Sequence, residues 1–297
     1  MEVVITFRPR RSVLYLPGSN ARAIEKARTL AADAIIIDLE DSVAPQAKPA
    51  ARAQVRNAVA AGGFGARDVV VRINGLDTPW GLDDVTAAVE AKADALLVPK
   101  VSHAALLRDV AQRLVTIGVD HRIRVWAMME TPLAILNARE IAAAAQDTAT
   151  RLAVFVLGTN DLAKETRARI MPGRACLLPW LMTCIAAARA YGLDIVDGVF
   201  NNLGDAEGFA RECAEARDMG FDGKTLIHPN QIGPCNAAFS PSADEVARAR
   251  KIIAAFARPE NSDKGVIQLD GRMVERLHAE AARRTVTISD AIAARGD

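Results

Sequence analysis

Eight short apolar runs, most of them built on branched side chains, recur between residues 12 and 227, each pair separated by room for one helix. They are Ser12–Leu16 (SVLYL), Ala34–Asp38 (AIIID), Val69–Ile73 (VVVRI), Ala95–Pro99 (ALLVP), Ile123–Ala127 (IRVWA), Ala153–Leu157 (AVFVL), Asp194–Val199 (DIVDGV) and Lys224–Ile227 (KTLI). A strand that is apolar at every position, not alternately, is buried on both faces, as in a parallel sheet. The starts fall 22 residues apart at the closest (12 to 34) and 41 at the widest (153 to 194), enough for a helix and two loops each time. Eight strand–helix repeats predict an α/β fold, a (β/α)8 TIM barrel. An open doubly wound sheet would need a glycine-rich phosphate turn after an early strand, and Pro17-Gly18-Ser19-Asn20 is a poor version of one.

The intervening segments have helical spacing of apolar residues: Asn20–Ala32, Ala50–Ala61, Gly81–Lys92, Leu133–Ala145, Leu178–Tyr191 and Ala206–Met219. Gly192 and Gly220 stand where C-cap glycines belong. Gly62-Gly63-Phe64-Gly65 lacks the Lys-Ser/Thr ending of a phosphate loop and reads as a turn. Beyond residue 240 the repeat stops. Pro241–Arg258 carries a Ser242/Glu245 capping box, Pro259–Gly265 is a polar linker, Val266–Leu269 is a short strand, and Arg272–Arg284 is read as a helix. The expected division is therefore 1–240 for a catalytic barrel and 241–297 for a C-terminal helix, linker and lid segment. That tail is too small to fold alone, so it is expected to pack on the barrel or on a neighbouring subunit.

Composition excludes several functions. Lys+Arg number 37 and Asp+Glu 36, a net charge of +1, which supplies no field for nucleic acid or an anionic membrane. Aromatics at 4% are too few for base-stacking platforms. The four cysteines (176, 184, 213 and 235) form no C-x-x-C pair and read as reduced core thiols. The start, Met1 to Arg8, does not read as a signal peptide, and no run of 18 apolar residues exists, so the expected location is cytoplasmic.

In a TIM barrel, catalytic groups stand at the C-terminal ends of the strands. That rule selects Pro17-Gly18-Ser19, Asp38-Leu39-Glu40-Asp41, Arg72, Pro99-Lys100, Glu130-Thr131-Pro132, Gly158-Thr159-Asn160-Asp161 and His228-Pro229. Glu130 and Asp161 follow neighbouring strands. Two adjacent carboxylates repel unless a proton or a cation lies between them, and two hard oxygen ligands are how Mg²⁺ is usually held. The other reading is that each caps the helix it precedes. Arg72 inside a buried strand needs an anion, either a structural partner such as Glu40 or Asp41, or a substrate carboxylate gripped bidentately. Arg22 and Lys26, four apart, form either a solvated face or a grip on phosphates at the barrel mouth. His228 reads as structural, and His103, His121 and His278 carry no signal.

Several of these stretches together resemble the citrate lyase beta subunits and related acyl-CoA lyases, among them malyl-CoA and citramalyl-CoA lyases. They are Arg11–Gly18 (RSVLYLPG), Asp38–Val43 (DLEDSV), Val71–Asn74 (VRIN), Met129–Pro132 (METP), Leu157–Leu162 (LGTNDL) and Gly220–Pro229 (GFDGKTLIHP). The resemblance implies a TIM barrel that binds Mg²⁺ and makes or breaks a carbon–carbon bond beside a CoA thioester, as a homotrimer. It implies Glu130 and Asp161 as metal ligands and Arg72 as the grip on the 2-oxo acid carboxylate. Tyr15, Arg22 and Lys26 then contact the CoA part, and Glu40 and Asp41 line the site. Relatives carry an aspartate, reaching over from a neighbouring subunit, as acid/base near the C-terminus; here Glu275 stands at that point, with Asp270 the fallback.

The implied reaction is retro-Claisen cleavage, or condensation, of a 3-hydroxyacyl-CoA such as malyl-, citramalyl- or citryl-CoA, yielding acetyl-CoA and a 2-oxo acid. Three other readings fit the same residues: a malyl-CoA thioesterase, a CoA-independent 2-oxo acid aldolase, and a citrate lyase component acting on an acyl-carrier protein.

Overall fold

The computed structural model describes residues 8–119, 123–261 and 263–295. The reading of the N-terminus at residues 1–7, and His121, lie outside them. The described residues divide into two compact units, a larger one over Arg10–Phe239 and a smaller one from Ser240 onward.

All eight apolar runs become strands of the larger unit. They are β1 (Ser12–Pro17), β2 (Ala34–Asp38), β3 (Asp68–Arg72), β4 (Ala95–Val98), β5 (Arg124–Met129), β6 (Leu152–Leu157), β7 (Asp194–Asp197) and β8 (Gly223–Leu226). They pair in parallel and in sequence order, and β8 closes back on β1. The fold is a TIM barrel. Alternate residues divide between two cores, which is why the strands read as unbroken apolar runs. Val13, Ala34, Ile36, Val70, Leu97, Trp126, Val154 and Val196 fill the barrel, whereas Ile35, Ile37, Val71, Leu96 and Ile195 pack outward under the helices.

Those helices are α1 (Ala21–Ala27), α2 (Lys48–Ala60), α3 (Gly81–Glu90), α4 (Ala104–Ile117), α5 (Pro132–Leu136), α6 (Ala138–Ala143), α7 (Thr159–Thr166), α8 (Leu178–Ala190), α9 (Ala206–Met219) and α10 (Ile232–Phe239). Several differ from the sequence expectation. The first helix stops at Ala27, five residues early. The span expected as one helix over Leu133–Ala145 is broken at Asn137, whose backbone (φ −102, ψ 12) is not helical. Helices α4, α7 and α10 fall outside the six helical segments read from the sequence.

The N-terminal end of the barrel is plugged by charge. Arg10 stacks on Trp126 with its guanidinium carbon 5.4 Å from the ring centre, and it pairs with Asp68 and Asp194 from opposite sides of the barrel. Arg11 forks onto Asp33 through Nε (2.8 Å) and Nη2 (2.9 Å). A second buried network ties the segment before α8 to the barrel wall. Lys224, fully buried, donates to Asp197 (2.7 Å) and Glu212 (2.6 Å), and Arg174 donates to both oxygens of Asp197 at 2.8 Å and to Glu215. Of the cysteines, Cys184, Cys213 and Cys235 are buried but Cys176 is exposed, so the core-thiol expectation fails for Cys176.

In the smaller unit, α11 (Ala243–Phe256) starts at the expected Ser242/Glu245 capping box. It packs with β9 (Val266–Leu269), β10 (Arg272–Glu275) and α12 (Arg276–Ala293) around Ile252, Phe256, Ile267, Val274 and Ala279. Arg272–Glu275 is therefore a strand, not the start of a helix. Asp270 (φ 50) and Gly271 (φ 76) form the two-residue turn that folds β10 back antiparallel on β9, a geometry Asp-Gly favours.

Closure of the barrel depends on Gly223. The Lys224 amide donates to the Arg11 carbonyl at 3.0 Å, and a Cβ on Gly223 would strike the Arg10 carbonyl and lie 2.6 Å from that of Arg11. Both obstacles are backbone and cannot rotate away. Gly223→Ala is expected to cost ~3 kcal/mol, a fall in Tm of roughly 6–12 °C by thermal denaturation. An unchanged Tm would show that the seam yields.

Candidate active site

Strands β2 and β3 pair in register, with Asp38 opposite Arg72. Counting by twos from the interior residues Ile36 and Val70, both side chains face into the barrel at its C-terminal mouth. The pair is bidentate: Arg72 donates from Nε to Asp38 Oδ1 (2.6 Å) and from Nη2 to Oδ2 (2.7 Å). Asp38 also accepts the backbone N–H groups of Glu40 (2.8 Å) and Ser42 (3.0 Å). Burial acts to raise its pKa, but the bonds and charge of Arg72 outweigh it and hold the carboxyl below its ordinary range. The structural partner of Arg72 is thus principally Asp38, ahead of the two acids expected. Glu40 Oε2 lies 2.9 Å and Asp41 Oδ2 3.5 Å from Arg72 Nη1, yet the Glu40 oxygen accepts no hydrogen bond. Tyr15 lies 5.3 Å below the guanidinium, ring centre to carbon.

The loop after β2 is tied down from behind. Buried Lys48 on α2 donates to the carbonyls of Leu39 (2.9 Å) and Glu40 (2.7 Å) and to Asn74 Oδ1 (2.6 Å). Asn74 in turn donates to Leu39 O and Asp84. Glu40 is thereby held beside Lys100, whose Nζ donates to Glu40 Oε1 at 2.6 Å. Lys100 itself has a left-handed backbone (φ 50), and its N–H donates to Glu130 Oε1 at 2.8 Å.

Glu130 follows β5 and is wholly buried. Its Oε2 has no hydrogen-bond partner among the described residues. It fits only because position 158 is glycine: a Cβ there would meet Glu130 Oε2 at 2.6 Å and collide with its Cβ. Gly158 is the N-cap of α7, and Asp161 stands in the first turn of that helix, half-exposed. Burial first, and then the charge of Glu40, push the Glu130 pKa up to about 8.

Tyr15, Asp38, Asp41, Arg72, Asn160 and Asp161 line one open cavity of about 410 Å³, floored by Met128, Leu157 and Thr225. Five carboxylates (38, 40, 41, 130 and 161) and two cations (72 and 100) serve this mouth, so the fully ionised set is three charges negative. A buried oxygen without a donor, in a mouth of that sign, suits a hard cation held by carboxylates.

The sequence-predicted residues divide three ways. Tyr15, Asp41, Arg72 and Asp161 line the cavity, and Glu40 and Glu130 are buried against its wall. Arg22 and Lys26 are exposed on α1 and are not among the residues lining the cavity. Glu275 and Asp270 belong to the smaller unit. Glu275 ends β10, exposed, with its N–H donating to His278 Nδ1 (2.9 Å), and Asp270 lies in the hairpin turn. His228 accepts the Asn230 N–H, the structural role expected. Asp38, Lys100 and Gly158 were selected from the sequence as strand-end positions without a role, and Lys48 was missed.

The fold and this mouth define an enzyme of the TIM barrel class with its acids gathered after β2, β5 and β6. Residues 11–229 match the family described as HpcH/HpaI aldolase/citrate lyase, and the chain belongs to that family. It is 51% identical over 286 residues, 96% of each chain, to a (3S)-malyl-CoA thioesterase of Cereibacter sphaeroides. It is 35% identical over 293 residues to the citrate lyase subunit beta of Leuconostoc mesenteroides, covering 96% of this chain and 94% of that one. Among solved structures it resembles CitE of Mycobacterium tuberculosis in complex with magnesium, acetoacetate and coenzyme A. The TM-score is 0.72 at 30% identity, over 94% of this chain and 97% of that one.

The raised pKa of Glu130 has a stability consequence. A carboxyl that titrates higher when folded binds its proton more tightly in the folded state. The resulting stabilisation is complete below the ordinary value of 4.5 and is lost as pH rises through about 8. With EDTA present, Tm is expected to fall between pH 5 and pH 8 more steeply in the wild type than in Glu130→Gln. Parallel curves would place the proton elsewhere.

Proposed function

We propose that this enzyme holds Mg²⁺ between Glu130 and Asp161 and cleaves, or in reverse forms, a carbon–carbon bond in a 3-hydroxyacyl-CoA. The hydroxyl carbon of that substrate bears a carboxylate, as in malyl-CoA, and the products are acetyl-CoA and a 2-oxo acid. The observation that carries this reading is the buried Oε2 of Glu130, without a donor among the described residues, in a mouth of five carboxylates and two cations. The magnesium, acetoacetate and coenzyme A bound by the CitE relative support it.

Bound there, the metal would stabilise negative charge developing on the substrate hydroxyl oxygen. Arg72 Nη1, beside Glu40 Oε2 and Met128 Sδ, is the nitrogen assigned to the carboxylate, because Nε and Nη2 are engaged by Asp38. That grip orients the bond to be broken. Tyr15, packed under Arg72 with its hydroxyl raised well above the usual phenol range by burial, stays neutral and bounds the cavity. Arg22 and Lys26, exposed on the helix after β1, are the cations assigned to the CoA phosphates. Glu275, reaching over from a neighbouring subunit, is assigned proton transfer to the α-carbon of the thioester enolate released by cleavage.

A second reading is favoured by one finding, the 51% identity to a malyl-CoA thioesterase. In it the same substrate is held the same way and water cleaves the thioester. Incubation with Mg²⁺ and malyl-, citramalyl- or citryl-CoA, with products identified by mass, separates the two. Acetyl-CoA plus a 2-oxo acid marks the lyase; free CoA plus the hydroxy acid marks the hydrolase. In either case Glu130→Ala and Asp161→Ala are expected to lower kcat/KM at least ~10³-fold, about 4 kcal/mol, with the fold intact by circular dichroism. Full turnover by both variants in excess EDTA would refute the metal site.

A further inference from the structure

Asp38 does no chemistry in the reading above, yet it is the most completely bonded side chain at the mouth. Each of its oxygens takes one guanidinium N–H and one loop N–H: Oδ1 from Arg72 Nε and Glu40 N, Oδ2 from Arg72 Nη2 and Ser42 N. A carboxylate has about four acceptor sites, so none is left for a metal or a substrate proton. The residue is 2% exposed. What it does control is which edge of Arg72 meets the cavity. Nη1 is the one terminal nitrogen not bonded to Asp38, and beside it stand Glu40 Oε2 at 2.9 Å and Asp41 Oδ2 at 3.5 Å. Those two acids compete with any incoming carboxylate for the same N–H groups.

We propose that Asp38 is a positioning residue for carboxylate binding at this site: it clamps Nε and Nη2 of Arg72 and, through the Glu40 and Ser42 amides, fixes the loop bearing the competing acids, so that the guanidinium cannot turn fully onto them and Nη1 faces a substrate carboxylate. The inference rests on the reading of Arg72 as the carboxylate grip. Without the clamp, the buried guanidinium must find another anion, because an unpaired one is too costly. Glu40 and Asp41 are the anions at hand. Arg72 then turns onto them and is lost to the substrate. The clamp must also be of the right length. A glutamate in place of Asp38 keeps the charge but displaces the carboxylate by one methylene, which breaks its match to the fork and to the two loop amides.

The test is isothermal calorimetry with glyoxylate, a 2-oxo acid, in the presence of Mg²⁺, which needs no turnover. Asp38→Asn and Asp38→Glu are both expected to bind at least tenfold more weakly than the wild type, with acetyl-CoA affinity within twofold. A disordered mouth would weaken both ligands. If Asp38→Asn fails to fold, Asp38→Glu, which preserves the ion pair, still decides. Glyoxylate binding by Asp38→Glu within twofold of the wild type overturns the proposal, since charge balance alone would then suffice. Parallel losses of glyoxylate and acetyl-CoA overturn it too, as does a wild type that binds no 2-oxo acid. A wild type that binds glyoxylate but turns over no hydroxyacyl-CoA sinks the assigned reaction and leaves the clamp standing.

Discussion

Repulsion among carboxylates is what the mouth of this barrel is organised around. Two like charges 4 Å apart cost about 4 kcal/mol at the effective dielectric of a protein surface, and five acids meet here. The structure deals with them one at a time. Asp38 is neutralised by Arg72, Glu40 is paired with Lys100, and Asp41 and Asp161 keep contact with solvent. Glu130 is left, buried, with one oxygen on the Lys100 amide and the other on nothing. A proton relieves that carboxyl, and in the proposed reading a cation takes the proton's place. The proposed metal site follows from this one oxygen, which has no donor among the described residues.

A wall stiff enough to hold acids apart needs support from outside the cavity. Lys48 supplies it behind β2 by gathering three neutral oxygens, two of them carbonyls of the acidic loop itself. Asp197, Lys224, Arg174 and the two glutamates of α9 supply it on the far side, where a buried ion network fixes the chain entering α8. The cavity between is accordingly made by strand ends and short tethers. A site of this kind is preorganised, its donors and acceptors aimed before a ligand arrives.

Much of the fold was legible because parallel strands buried on both faces leave an unbroken apolar signature, and eight of them survive as strands. Positions at strand ends were legible for the same reason, which is why Arg72, Glu130 and Asp161 were identified from sequence as candidates. What was not legible depended on register. Asp38 looked like one of three acids within four residues, and only the pairing of β2 with β3 sets it opposite Arg72. Lys100 reaches Glu130 through a backbone amide aimed by a left-handed φ, which no residue type at that position announces. The strand β10 was mistaken for helix although Asp270-Gly271 is a hairpin signal, because the helical period of the residues beyond it overran the turn.

Gly158 ties two parts of the mouth together by having no side chain. The carboxylate of Glu130 occupies the volume where a β-carbon would be, and the same glycine opens the helix that carries Asp161. The two positions cannot drift independently through evolution. A bulkier residue at 158 becomes tolerable only in a descendant whose residue 130 has already shortened, and that descendant has lost the acid to which the proposed metal site is assigned. A lineage that keeps Glu130 is therefore locked into this glycine by the volume of a neighbouring carboxylate.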